Sequence, residues 1–220
     1  PGPIVDGWIL PESPGKAFDT GHQQPVPLMI GSNALEMSSL RTYLPRIPRT
    51  VTAYQGWIAQ TFRVAAPKLE ALYPAATDTD VEEALLRLTT DVYLTCPSRF
   101  AARAVSRSGQ PAYLYFYTRV LPGGEKLGAY HSAEIGHVFG NKVSWLPREA
   151  IDDTLTERMG AYWVNFASTG NPNGPGLPNW PIHDAEHDLH LELGDRISEI
   201  AGLRREACDL VAFGLRALQD

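Results

Sequence analysis

Two side chains in this sequence are suited to proton chemistry by type and position. The run Gly128-Ala129-Tyr130-His131-Ser132-Ala133-Glu134-Ile135 places a histidine just past a strand-like stretch, Ala112 to Val120. Histidine is the side chain whose ordinary pKa allows proton transfer in both directions near neutrality. Upstream, a shorter strand-like run, Val26 to Ile30, opens into Gly31-Ser32-Asn33-Ala34-Leu35-Glu36. A carboxylate held against an imidazole selects the tautomer that leaves the other ring nitrogen basic, and it stabilises the imidazolium that forms when that nitrogen takes a proton. Glu36 and His131 are therefore the candidate acid and general base. A serine in a Gly-x-Ser-x-Gly turn, the nucleophile such a pair would serve, occurs nowhere in the sequence. Taken by themselves, the two residues read first as a surface glutamate and a satisfied loop histidine, and their spacing alone is a weak signal of a pair.

The elements that must position them form an alternating pattern. Residues 1–25 are rich in proline and glycine, which predicts extended segments and turns with no helix. Val26 to Gly31 reads as a short buried strand ending at a glycine that lets the chain turn. From Tyr54 to Ser108 the pattern is helical with interruptions at Pro67, Pro74 and Pro97, and Asp78 or Thr79 is placed to cap the middle segment. Ala112 to Val120, dense in aromatic and β-branched residues, reads as a central strand. A helix is predicted from Asp152 or Asp153, with Leu155, Met159, Tyr162, Trp163 and Phe166 on one face and Gly170 closing it. Asp188 to Gly194 and Arg196 to Ala201 read as short edge strands. A final amphipathic helix runs from Leu203 to Leu218, with Leu215 and Leu218 on its apolar side. Strands and helices in this succession indicate α/β architecture with a mostly parallel central sheet.

Composition narrows the function class. A chain of 220 residues, 44% hydrophobic and 20% charged, has enough apolar material for a substantial core. Its net charge of −6 and its lack of a basic cluster interleaved with aromatics argue against nucleic acid or an anionic membrane as partner. No apolar stretch approaches the ~20 residues of a membrane span. The two cysteines, Cys96 and Cys208, have no metal-ligand spacing and read on their own as buried thiols. His183, His187 and His190 with Asp184, Glu186 and Asp188 resemble a metal-ligand run, but the polar turn around them reads as a solvated loop, so no metal is expected. Pro122-Gly123-Gly124 reads as a turn.

Longer blocks carry a family resemblance. Val5-Asp6-Gly7, Val26 to Glu36, Tyr113 to Phe116, Gly128 to Gly140 and Tyr162 to Asn173 resemble, in this order, successive blocks of the type-B carboxylesterases, the family of cholinesterases and bacterial para-nitrobenzyl esterases. The resemblance implies an α/β-hydrolase fold, in which an acid and then a histidine follow the nucleophile in chain order. The family's Gly-x-Asn-x-x-Glu block puts the triad acid at Glu36, and its Ala-x-His-x-x-Glu/Asp block puts the general base at His131. Glu134 is assigned to supporting the loop. Leu40, Tyr43 and Leu44 fall where members wall the substrate pocket, and simple packing against the helices that follow accounts for them equally. Many members close a disulfide between the regions of Cys96 and Cys208, which would contribute roughly 4 to 5 kcal/mol in the chain-entropy model. Such a bond favours an oxidising compartment, secreted or periplasmic, with a cytoplasmic location left open.

The missing serine and oxyanion donors lead to the expectation that residues 1–220 are the carboxyl-terminal portion of one α/β-hydrolase domain, with 51–109 a helical excursion inside it. An absent N-terminal half carrying Gly-x-Ser-x-Gly would complete the sheet and be the chain's partner. The implied activity is hydrolysis of a small-molecule carboxylic ester through an acyl-enzyme, with no cofactor. The alternative is a non-catalytic relative used in adhesion or partner binding, although such a protein has no reason to keep both Glu36 and His131.

Overall fold

The strand β2 (Ala112–Tyr117) lies inside a four-stranded sheet ordered β1-β2-β3-β4. Successive side chains of a strand point to opposite faces, and this sequence supplies both faces with apolar groups. Tyr113 and Tyr117, with Tyr115 beside them, join Leu155, Met159, Tyr162 and Trp180 in one core cluster. Leu114 and Phe116 join Ala102, Val105 and Leu203 in another on the opposite side. The computed structural model describes residues 3–44, 47–141 and 146–216. Strand β1 (Leu28–Asn33) pairs parallel with β2 from Leu28 opposite Ala112 to Asn33 opposite Tyr117. Beyond β2, β3 (Leu189–Leu193) is parallel to it, and β4 (Ile197–Ala201) runs antiparallel to β3. The described sheet is therefore mostly parallel, as the alternating pattern predicts.

Helices cover both faces. Parallel neighbours need a long crossover, and between β1 and β2 the chain forms α2 (Met37–Leu40), α3 (Val51–Phe62), α4 (Ala66–Leu72), α5 (Val81–Thr90) and α6 (Cys96–Arg107). Tyr54, Ile58, Phe62, Leu69, Leu85 and Leu88 from α3, α4 and α5 pack with Val211 into a third cluster. Val211 comes from α9 (Arg205–Arg216), which the disulfide between Cys96 and Cys208 ties to the start of α6. The pairing implied by the family resemblance is thus present. After the short α7 (Ile135–Val138), helix α8 (Ala150–Thr169) lays Leu155, Met159 and Tyr162 on the sheet, and Gly170 ends it at φ 75°. Leu218 and the side chain of Leu215, counted on the apolar side of the last helix, lie outside the described residues.

Several expectations are corrected. The proline-rich start does contain a helix, α1 (Pro14–Thr20): Pro14 occupies its first turn, Ser13 caps it and Gly21 closes it at φ 78°. Proline lacks only a donor that the first turn leaves unused, so it starts a helix there where it would break one later. Gly31 does not turn the chain. It lies within β1, where a Cβ would fall 2.4 Å from the Tyr115 ring, so the residue is set by close approach. Strand β2 stops at Tyr117, short of Val120. Pro97 interrupts nothing, because a π-helical turn, Asp91–Thr95, joins α5 to α6 and its wider hydrogen-bond spacing accommodates the missing donor. Asp80 precedes α5, while Asp78 accepts the backbone N–H of Val51 at the start of α3. Helix α8 begins two or three residues before the expected Asp152 or Asp153 because Glu149 and Asp152 form a reciprocal capping box. Strand β3 is interior, being paired on both sides, and only β4 fits the expectation of an edge.

The expected solvated histidine run is also corrected. His183, Asp188 and His190 are buried, with only His187 of the three histidines exposed. Asp188 accepts hydrogen bonds from Arg99 of α6 and from Nε of Arg205 at 2.7 Å. Two guanidinium groups converging on one carboxylate pull this turn inward. A second buried cluster forms where β2 ends. Arg119 reaches both oxygens of fully buried Asp152 at 2.7 and 3.0 Å and also bonds Glu149 and Asp195, joining the end of β2 to the start of α8 and the β3–β4 turn. Removing one member of a buried pair leaves an uncompensated charge. Arg119→Ala should therefore lower the unfolding free energy of the complete protein by about 3–5 kcal/mol, measured by urea denaturation; a loss below about 1 kcal/mol, the range of surface pairs, would contradict this role.

Candidate active site

The carboxyl ends of β1 and β2 lie side by side, and a loop leaves each. After Asn33 the chain turns through Ala34 and Leu35 to Glu36. Ala34 N–H donates to the Tyr117 carbonyl and Leu35 N–H to that of Ala129, both at 2.9 Å, so the acid turn is bonded to β2 and to the histidine loop. Ser38 Oγ donates to the Leu127 carbonyl at 2.5 Å. Gly128 has φ 62°, a conformation that favours glycine, and a Cβ there would press to 3.1 Å on the Leu35 side chain. Ser132, directly after His131, is also left-handed, at φ 72°.

These turns bring the two candidate groups together. Nδ1 of His131 lies 2.7 Å from Oε2 of Glu36, across a separation of 95 residues. The other carboxylate oxygen, Oε1, accepts the backbone N–H of Asn33 at 2.7 Å. An ionised carboxylate can only accept, so Nδ1 carries the proton and Nε2 is left basic. Glu36 is buried while the His131 side chain remains 45% exposed. Burial pushes the Glu36 carboxyl above the usual glutamate range; the Asn33 N–H and His131 oppose the rise, and the like charge of Glu134 adds to it.

Glu134 does not reach His131. Its carboxylate accepts from the side-chain amide of Asn33, which also donates to the Tyr130 carbonyl at 2.7 Å. Asn33 is wholly buried, and its importance was missed by sequence reasoning although it lies in the block that carries Glu36. The available signal was an amide three residues before the acid at the end of a strand. The pocket candidates differ in their surroundings: Leu40 ends α2 half-buried, Tyr43 is 79% exposed, and Leu44 packs against the helical cluster.

Comparison with known proteins places the chain. The model of the carboxylesterase family matches residues 1–211, and the chain belongs to that family. Its four-stranded sheet with flanking helices is part of an α/β-hydrolase fold. It is similar to carboxylesterase 4A of Bos taurus, with 29% identity, covering 99% of this chain and 42% of that protein. Fumonisin B1 esterase of Sphingopyxis macrogoltabida is 30% identical over 92% of the chain and 38% of its own length. Liver carboxylesterase of Sus scrofa is 31% identical, over 87% and 37% respectively. The chain spans about two fifths of the length of these curated relatives.

The burial of Glu36 has a measurable consequence. A carboxyl whose folded pKa is raised favours the folded state when protonated, and that contribution is lost as pH rises through the folded value. Glu36→Gln in the complete protein should therefore gain melting temperature relative to wild type over an interval of rising pH that begins at about 4, near the unfolded glutamate value. A difference that shrinks over this interval would show that His131 and Asn33 outweigh desolvation.

Proposed function

We propose that the complete protein is a carboxylic ester hydrolase working through a Ser-His-Glu triad, with this chain supplying Glu36 and His131. The observation that carries the reading is the 2.7 Å contact between His131 Nδ1 and Glu36 Oε2, formed in a member of the carboxylesterase family. The serine, in a Gly-x-Ser-x-Gly turn, and the oxyanion donors come from an N-terminal portion that completes the α/β-hydrolase domain. Exposed Ile4, Trp8 and Ile9 support such a neighbour. They lie about Asp6, whose carboxylate accepts the backbone N–H groups of Trp8, Ile9 and Leu10 and so presents these apolar side chains on an ordered loop.

The chemistry follows from the pair. Nε2 of His131 removes the serine proton as the oxygen attacks the ester carbonyl, and Glu36 stabilises the imidazolium while backbone donors hold the oxyanion. The imidazolium returns its proton to the departing alcohol, leaving an acyl-enzyme. Water, deprotonated by the same nitrogen, then releases the carboxylate and the serine. The substrate is a small-molecule ester, with Leu40, Tyr43 and Leu44 assigned to its pocket. No cofactor enters these steps. The Cys96–Cys208 bond favours a secreted or periplasmic location.

In the complete protein, His131→Ala should lower kcat on a p-nitrophenyl ester by about 10⁴-fold or more. Glu36→Gln, which keeps the shape and loses the charge, should lower it by roughly 10³- to 10⁴-fold. Wild-type turnover in both variants would remove the assignment.

A further inference from the structure

Asn33 is the last residue of β1, and its two amide groups serve different loops. The main-chain N–H holds Oε1 of Glu36 at 2.7 Å. The side-chain amide donates to the Tyr130 carbonyl at 2.7 Å and to the Glu134 carboxylate. Tyr130 precedes His131 and Glu134 follows it by three residues, so the side chain grips the histidine loop on both sides of the ring. Between those grips Ser132 sits at φ 72°, a conformation that an L-residue with a side chain takes at a cost and keeps only when its surroundings hold it there.

Few side chains can make this clamp. A primary amide has two N–H groups on one nitrogen, enough to satisfy a carbonyl and a carboxylate together. A hydroxyl has one, and an ionised aspartate has none. The position is wholly buried, so no solvent would take over a lost bond. The strand register fixes where the amide starts, because Asn33 lies opposite Tyr117 at the shared end of the parallel pair.

We propose that Asn33 is a positioning residue for the ester hydrolysis inferred above: its buried side chain sets the His131 loop while its backbone N–H sets Glu36, so one residue fixes the acid–base contact from both sides. This rests on the triad reading. Asn33 touches no reacting atom and acts through His131 and Glu36.

Asn33→Asp keeps nearly the same shape but leaves at most one side-chain donor in place of two N–H groups; burial and the nearby Glu36 and Glu134 favour its protonated form, so it tests the donors and adds no charge.

The test uses the complete protein and p-nitrophenyl butyrate, with His131→Ala assayed alongside. Asn33→Ala should lower kcat by about 10²-fold and leave KM within about twofold, since the loss is of geometry at the reacting centre. Asn33→Asp, nearly isosteric, should also lower kcat with KM within about twofold. If Asn33→Ala does not fold, kcat and KM of folded Asn33→Asp decide. A purely structural role would lower the melting temperature while kcat of the folded enzyme stayed at the wild-type value. With His131→Ala inactive, that result overturns the inference and leaves the triad reading intact. Wild-type activity in His131→Ala would bring down the triad reading and the inference with it.

Discussion

The constraint on which the rest depends is the parallel pairing of β1 with β2 in a register that brings their carboxyl ends level, Asn33 against Tyr117. Parallel strands deliver their following loops to the same edge of the sheet, the edge at which α/β proteins build their sites. The acid turn and the histidine loop leave from that edge, and Ala34 and Leu35 donate main-chain hydrogen bonds across to β2 and the histidine loop. Close approach at Gly31 is part of the same constraint, because Tyr115 occupies the space a side chain there would need. The long helical stretch between the strands satisfies the topology: parallel neighbours cannot be joined by a tight turn.

Around this sheet, buried charge organises what apolar packing leaves undetermined. Hydrophobic contact is non-directional, so clusters against each face hold the layers together without fixing how loops meet. Arg119 and Asp152 give a direction to the join between β2 and α8, and Arg99, Asp188 and Arg205 do the same for α6, the turn before β3, and α9. Each pair loses hydration on burial and recovers it only in good geometry. Glu36 follows a different logic. Its burial disfavours the ionised form that the proposed chemistry needs, and in return a dry carboxylate interacts more strongly with the imidazole beside it. Stability is lowered there in favour of electrostatic control.

Much of the fold was legible because the signals are local. The apolar face of α8 and its glycine stop, the aromatic alternation of β2 and the helical stretch before it all follow from residues within one or two turns of one another. The errors have equally physical origins. Pro14 and Gly21 read as breakers when they are the start and stop of α1. The polar composition around His183 and Asp188 suggested solvent, since the arginines that bury it lie far away in the chain. That Cys96 and Cys208 are bonded and not two buried thiols followed beforehand only from a family resemblance, because the distance between two residues 112 positions apart is set by the fold.

The sequence by itself determined the kinds of elements, most of their stops, and the family whose blocks carry Glu36 and His131. Those properties rest on interactions between near neighbours, in backbone conformation, capping and periodic burial, or on the residues as written. The tertiary structure alone decided which polar groups lie in the dark and what they face: the contact between His131 and Glu36, the grip of Asn33 on the histidine loop and the inward turn of Asp188. The reason is that burial and hydrogen bonding belong to pairs of residues distant in the chain, here separated by as many as 101 positions between Asn33 and Glu134. Such pairs have no defined geometry until the strands have found their register.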